Sequence, residues 1–469
     1  MDIDLLLARA DDHAPALDGG LPQGAASCAA APRAAAEPAS FADFSDDPND
    51  LLVQRWGIVA PEGPAGDRLL DLVAPLRAAR EAAQGGAPAR IYRAPRGLDA
   101  AAAARWKRAV YRDESVPDDE LPRYLLVLGD LDDVSLDLQQ ALASDLFVGR
   151  LACATDAGYA AYVEKVRVWE ARQCEARARA LFFGVRDGTT ATAAGHRALI
   201  APSVARCRAQ MERGAFKADA VHELAFDAGL AAKDGLLTEA SRAEPAMLFT
   251  MSHGLGPPRG GFRTADERRA LQGAMSLGAG VRLAADDIAG ARFLPGGVWF
   301  LLACYGGGTP SSSAYRPWLA RLRDAGGFGG RVDAVLAGLA PPGSPPFVAA
   351  LARTALESPE GPLAVIAHVD LAWTYAFQDQ GFDRRDRPSR FQGLFRSLIA
   401  GARVGAAHQE LVRFAGEAAL ELAAIDDDAA RDPPDAARSL HRASLWMLRQ
   451  DLAGYVVLGD PAVRLPVPP

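Results

Sequence analysis

The chain has 469 residues, 49% of them hydrophobic, and a net charge of −8. That length suits two or three domains around a large buried core. The acidic balance withholds the field that a nucleic-acid surface needs, so no nucleic-acid partner is expected. Its basic residues are arginines apart from Lys107, Lys165, Lys217 and Lys233.

No apolar run reaches the roughly eighteen residues of a membrane span, so no membrane insertion is expected. The start, Met1-Asp2-Ile3-Asp4-Leu5-Leu6-Leu7, lacks the basic region and long apolar stretch of a secretory signal. A cytoplasmic protein is expected. The five cysteines (Cys28, Cys153, Cys174, Cys207, Cys304) have no CxxC spacing, and the seven histidines show no HxxxH or HxH pair. Neither a disulfide framework nor a metal site is indicated, and no cofactor is expected.

In chain order, residues 1–50 read as a flexible N-terminal arm, because residues 8–50 are rich in Ala, Pro, Asp and Gly. Arg55 to Ala60 is a short buried strand. Arg68 to Ala83 has apolar residues at helical spacing, Ala100 to Tyr111 is a second helix, and Tyr124 to Leu128 is a buried strand. Asp156 to Ala178 reads as a long amphipathic helix. A second series has strands at 181–185, 247–252, 298–303 and 363–369, with helices at Arg197–Arg213 and Ser397–Ala424. Short strands alternating with helices predict an α/β fold with a mostly parallel sheet flanked by helices. Two α/β subdomains are expected: a non-catalytic one over 51–175 and a catalytic one over 176–469.

Two of those strands end in chemistry. The run Met247-Leu248-Phe249-Thr250-Met251 leads to Ser252-His253-Gly254, and Val298-Trp299-Phe300-Leu301-Leu302-Ala303 leads to Cys304 and then Gly306-Gly307-Gly308. In a parallel sheet both carboxyl ends lie on the edge where open α/β folds bind ligands. A thiol beside an imidazole is the minimum equipment for nucleophilic acyl transfer. Cys304 is the candidate nucleophile and His253 the candidate acid/base. The backbone N–H groups of Gly254 and Cys304 are candidates for an oxyanion hole. Taken singly, a strand-end Cys is usually core packing and a His-Gly pair a turn. A P-loop reading of Gly306-Gly307-Gly308-Thr309 fails, because no Lys-Ser/Thr pair follows.

Histidine first, cysteine second, each closing a strand, resembles the caspase–gingipain group of cysteine peptidases. The resemblance extends to Tyr124-Leu125-Leu126-Val127-Leu128-Gly129-Asp130 with Ser144-Asp145-Leu146-Phe147-Val148-Gly149-Arg150. It extends also to Pro359–Trp373 and to the closing Tyr455-Val456-Val457-Leu458-Gly459-Asp460-Pro461-Ala462-Val463-Arg464-Leu465. It covers roughly residues 120–465 in the family's order. It implies a caspase-like fold and a cysteine endopeptidase acting on protein or peptide substrates, with a regulatory protein partner and a defence or cell-death role entering by analogy alone. The alternative is a catalytically inactive caspase-like scaffold or binding module.

The resemblance also bears on further residues. Asp187 matches a position that contacts the catalytic histidine in the arginine-specific members; the other reading is an Asp-Gly turn. No acid stands near His196-Arg197-Ala198, where those members hold their P1 arginine. Asp370 with Trp373 could face a basic P1 side chain, Arg197 could face an acidic one, or neither lines the pocket. The secreted gingipains carry a signal and a pro-region not seen here, which implies an intracellular relative. Pro257–Gly280 and Gly306–Ser313 read either as mobile loops around the cleft or as plain surface turns.

Overall fold

The structure is a computed structural model that describes residues 2–22, 24–25, 47–172, 174–326, 328–379, 384–429 and 435–468. Cys28 lies outside them, as does much of the expected arm. In chain order the strands that matter are β1 (Leu7–Arg9), β2 (Trp56–Pro61), β3 (Arg90–Ala94), β4 (Tyr124–Leu128), β5 (Phe147–Leu151), β6 (Arg179–Gly184) and β7 (Val221–Leu224). They continue with β8 (Ala246–Met251), β9 (His253–Gly256), β10 (Met275–Ser276), β11 (Arg282–Leu283), β12 (Val298–Leu302), β13 (Ala364–His368) and β14 (Tyr455–Leu458).

Ten of these form one sheet among the described residues, in the order β3-β2-β4-β5-β14-β13-β12-β8-β6-β7. Neighbours are parallel at every step except β13–β14, where the direction reverses. The fold is thus a mixed α/β one with a large, mainly parallel sheet flanked by helices. Its central strands are apolar on both faces because helices cover both. Helix α1 (Ser389–Ile399) sends Phe395 against Phe182 and Phe249, with ring centroids 5.2 and 5.4 Å apart, and Phe391 against Phe300 at 5.7 Å. Where a polar side chain enters this layer it is satisfied in place: Trp299 Nε1 donates to Thr250 Oγ1 at 2.9 Å.

Several expected helices are broken by identifiable residues. Arg68–Ala83 is two helices, Pro64–Leu72 and Ala74–Ala83, since Pro75 lacks an N–H to continue the first. Ser397–Ala424 divides at Gly401, whose φ of +83° closes α1 before the helix Val404–Ala429 begins. Arg197–Arg213 starts as a π-turn over His196–Ile200 and becomes α-helical at Ala201, next to Pro202. Ala100–Tyr111 likewise passes from α to π at Lys107. The long helix after Asp156 stops at Ala171.

The flexible arm needs correction at its start. Leu5, Leu6 and Leu7 are 0%, 0% and 1% exposed. β1 pairs in parallel with β9, which carries His253, and the order of this second sheet is β11-β10-β9-β1. Three consecutive leucines at the head of an otherwise polar stretch carry enough apolar surface to be drawn into the core.

Candidate active site

β8 and β12 are parallel neighbours, and Met251 faces Leu302 in their register. His253 and Cys304 each lie two residues beyond that pair, so both emerge at the same sheet edge. The backbones that follow and carry these residues pack tightly: a Cβ placed on Gly254 would sit 1.8 Å from the Cys304 carbonyl oxygen. Only glycine fits there. Tyr305, directly after the cysteine, adopts φ +59° and donates its N–H to the Asp370 carbonyl at 2.8 Å. That left-handed residue turns the chain sharply away from β12.

His253 is fully buried, and its Nε2 lies 2.8 Å from Thr189 Oγ1. The Thr189 hydroxyl donates to Asp187 Oδ1 at 2.9 Å. A hydroxyl has one proton; with that proton given to the carboxylate, Thr189 accepts from His253 Nε2–H. In that arrangement the imidazole proton sits on Nε2 and Nδ1 keeps its lone pair. Nδ1 has no hydrogen-bond partner. Asp187 also accepts from Thr189 N at 3.1 Å and Thr192 Oγ1 at 2.6 Å, and stands 3.9 Å from His253 Nε2. The aspartate thus reaches the histidine through a threonine that sequence reasoning missed. The available signal was a hydroxyl residue two places after Asp187, in the turn through Gly188.

Burial pushes the His253 imidazole down to about 4, against the pull of the Asp187 charge. It pushes the Cys304 thiol well above its ordinary value, opposed by the Ala372 backbone contact. Cys304 Sγ receives the Ala372 N–H at 3.2 Å and is itself 0% exposed. Burial thus favours the uncharged form of each group.

The Gly254 and Cys304 N–H groups converge on a single acceptor. Both donate to the Leu6 carbonyl oxygen, at 2.9 and 3.3 Å. Leu6 N–H donates to the Ala372 carbonyl at 3.3 Å, and Leu5 bridges Trp373 in antiparallel fashion. On the other side of Leu6, residues 7–9 run along Gly254–Gly256.

No protein-family description and no curated protein sequence matches the chain. Among solved structures, it is similar to gingipain R, an Arg-specific cysteine proteinase, at 13% identity and a TM-score of 0.48, over 88% of this chain and 78% of that one. It is also similar to a structure described as a protease, at 11% identity and a TM-score of 0.47, over 87% and 78% of the respective chains.

The remaining candidates lie differently from the expectation. The Asp370 carboxylate is 5% exposed and accepts the N–H groups of Ala314 and Leu371 at 2.9 and 2.8 Å. It anchors the loop that follows Cys304, and burial raises it to about 7. An acid so committed makes a poor partner for a cationic side chain. The Trp373 ring is buried against Tyr315 and Trp318, both at 5.8 Å, and its backbone bridges Leu5. Arg197 is exposed, with no hydrogen bond to the cleft among the described residues. Gly306–Gly308 is buried and bonded to backbone on both sides, through His368 O and Ala349 N, so this part of the expected mobile loop is packed structure. Within Pro257–Gly280, Ala265–Leu271 is helical and Met275–Ser276 is β10.

Proposed function

We propose that this protein is a cysteine endopeptidase that hydrolyses peptide bonds through Cys304 and His253. The observation carrying this reading is the convergence of the Gly254 and Cys304 N–H groups on one carbonyl oxygen beside the thiol. Two backbone donors aimed at one point are what a developing oxyanion requires, and they need no reorganisation during the reaction.

In this reading His253 Nδ1 takes the thiol proton and the sulfur adds to the carbonyl carbon held in the hole. The negative charge on oxygen is met by the two N–H groups. Nδ1 then returns the proton to the leaving amine, and a water activated by the same nitrogen hydrolyses the thioester. Thr189 fixes the ring and its tautomer. Asp187 holds Thr189 and stabilises the imidazolium as it forms. Residues 51–175 contribute none of these groups, which supports their assignment as a non-catalytic half of the sheet and 176–469 as the catalytic one.

Residence in a reducing compartment belongs to the same proposal. It is supported by Cys153, Cys174, Cys207 and Cys304 all being free thiols. Among the described residues no helix is long and apolar enough to cross a membrane. Cys304→Ala tests the reading: hydrolysis of a denatured protein substrate should disappear while the thermal transition stays in place. Retained hydrolysis in that variant excludes Cys304 as the nucleophile.

A further inference from the structure

The cleft already holds a peptide, and it is the chain's own. Asp4–Arg9 is extended across the site, with Leu6 presenting its carbonyl to both candidate oxyanion donors. Leu5, just before it, bridges Trp373 in antiparallel fashion, and residues 7–9 after it pair in parallel with Gly254–Gly256. Asp4 adds a bond from Thr190 Oγ1 at 2.9 Å. Beyond the cleft the segment turns back on itself, through Arg9 N–H to Ala14 O at 2.9 Å and Ala16 N–H to Leu7 O at 2.8 Å. Arg331 then clamps the Gly20 carbonyl at 3.0 Å. Main-chain bonds supply register for such a strand, and alternate side chains supply selectivity.

We propose that residues 4–9 are a built-in pseudosubstrate that closes the active site in cis, and that the site accepts an extended apolar peptide with leucine at the position whose carbonyl enters the hole. The inhibitory meaning of this closure rests on the catalytic reading of Cys304 and His253; the occupancy of the cleft does not. The Leu6 side chain is 0% exposed and joins the main hydrophobic core. The two charged candidates for the pocket are committed elsewhere: Asp370 accepts backbone N–H groups and Arg197 is exposed.

The segment also explains the neutral state of the pair. Leu5, Leu6 and Leu7 exclude water from the cleft, and a desolvated thiol and imidazole both favour their uncharged forms. Withdrawal of the strand would rehydrate both, lowering the thiol and raising the imidazole toward the ion pair that attacks. Displacement of residues 4–9 therefore opens the cleft and activates the nucleophile in one step.

The test measures Cys304 alkylation by iodoacetamide in the full-length protein, read by peptide mapping, alongside hydrolysis of a reporter with leucine at P1. In the closed protein the labelling rate should be low at neutral pH and still climbing at pH 9, because the thiol titrates above its ordinary value of 9.0. Leu6→Asp puts an unpaired charge in the apolar site and should raise labelling by about tenfold or more, with a parallel rise in hydrolysis. Leu6→Gly, which keeps the backbone bonds and removes the anchor, should give a smaller rise and serves if the charged variant fails to fold. A capped peptide of residues 2–9, Asp-Ile-Asp-Leu-Leu-Leu-Ala-Arg, should restore slow labelling to the variant. The same peptide with arginine in place of its middle leucine should protect less. Equal labelling rates in the native protein and both variants overturn the proposal, as does equal protection by the two peptides. A rise in labelling with no hydrolysis by any form upholds the occupied cleft and sinks the peptidase reading.

Discussion

Two buried polar side chains, Arg150 in the first half of the sheet and His253 in the second, are held in opposite ways. In the first half Arg150 is 0% exposed, and its guanidinium donates to Gln139 Oε1 and to the Gly129, Asp130 and Val134 carbonyls at 2.7–2.9 Å. Arg80 likewise donates at 2.7 Å to Asp460 and to Glu170. Arg150 ties the loop around Asp130 and the start of the following helix to its strand, and Arg80 ties its helix to Glu170 and to Asp460. In the second half the imidazole of His253 is oriented on one side and bare on the other, and Nδ1 has no partner. A buried group left unsatisfied costs about 1–3 kcal/mol. Tyr92 Oη in the first half is also without a partner, so the contrast lies between Arg150 and His253 themselves.

The largest expected effect breaks the bracing half. Arg150→Met removes one cation and strands five acceptors, the Ser135 carbonyl at 3.4 Å included, so stability should fall by about 3–5 kcal/mol in a urea titration. The folded fraction should keep its specific activity. A loss below about 1 kcal/mol would show that the network adds little.

Thr189→Val tests the chemical half at nearly constant volume. The Nε2 proton loses its acceptor and Asp187 loses its route to the ring, so kcat should drop about ten- to a hundredfold with KM unchanged. Thr189→Ser should recover most of the rate, which a simple packing role would not demand. Equal kcat in the valine variant removes Thr189 from the positioning of His253.

The smallest effect concerns the residue that looked functional and behaves as bracing. Asp370→Asn should alter the ratio of hydrolysis at arginine and leucine by less than about threefold, since the carboxylate faces backbone N–H groups and burial already raises it to about 7. A hundredfold loss of arginine cleavage would place Asp370 in the pocket after all.

The sheet was legible because its central strands are apolar on both faces. Runs such as Val298–Leu302 have no other stable place than between two layers of helix. The ends of β8 and β12 could be read for the same reason: a strand buried on both sides must stop where the chain turns polar, and it stops at Ser252-His253 and at Cys304. Four strands of the sheet were not read as such: β5 and β14, which are fully buried but short, and β3 and β7. β3 and β7 have partly exposed positions and no apolar run, and they become strands because a neighbour offers them a ladder.

The amino-acid sequence by itself determined which side chains could do chemistry and the order in which strands deliver them. Local covalent preferences and hydrophobic runs suffice for that. Only the tertiary structure decided which of those groups meet, and what else meets them. Thr189 joins Asp187 to His253 across 64 residues, Asp370 turns from the cleft to the loop at Ala314, and Leu6 reaches a hole formed by residues 254 and 304. Each contact depends on the path of the backbone through space, because a hydrogen bond is made at about 3 Å and leaves no periodic trace in the chain. Composition alone made residues 1–50 look featureless, and a single strand-length stretch of leucines, once placed against β9, occupies the site.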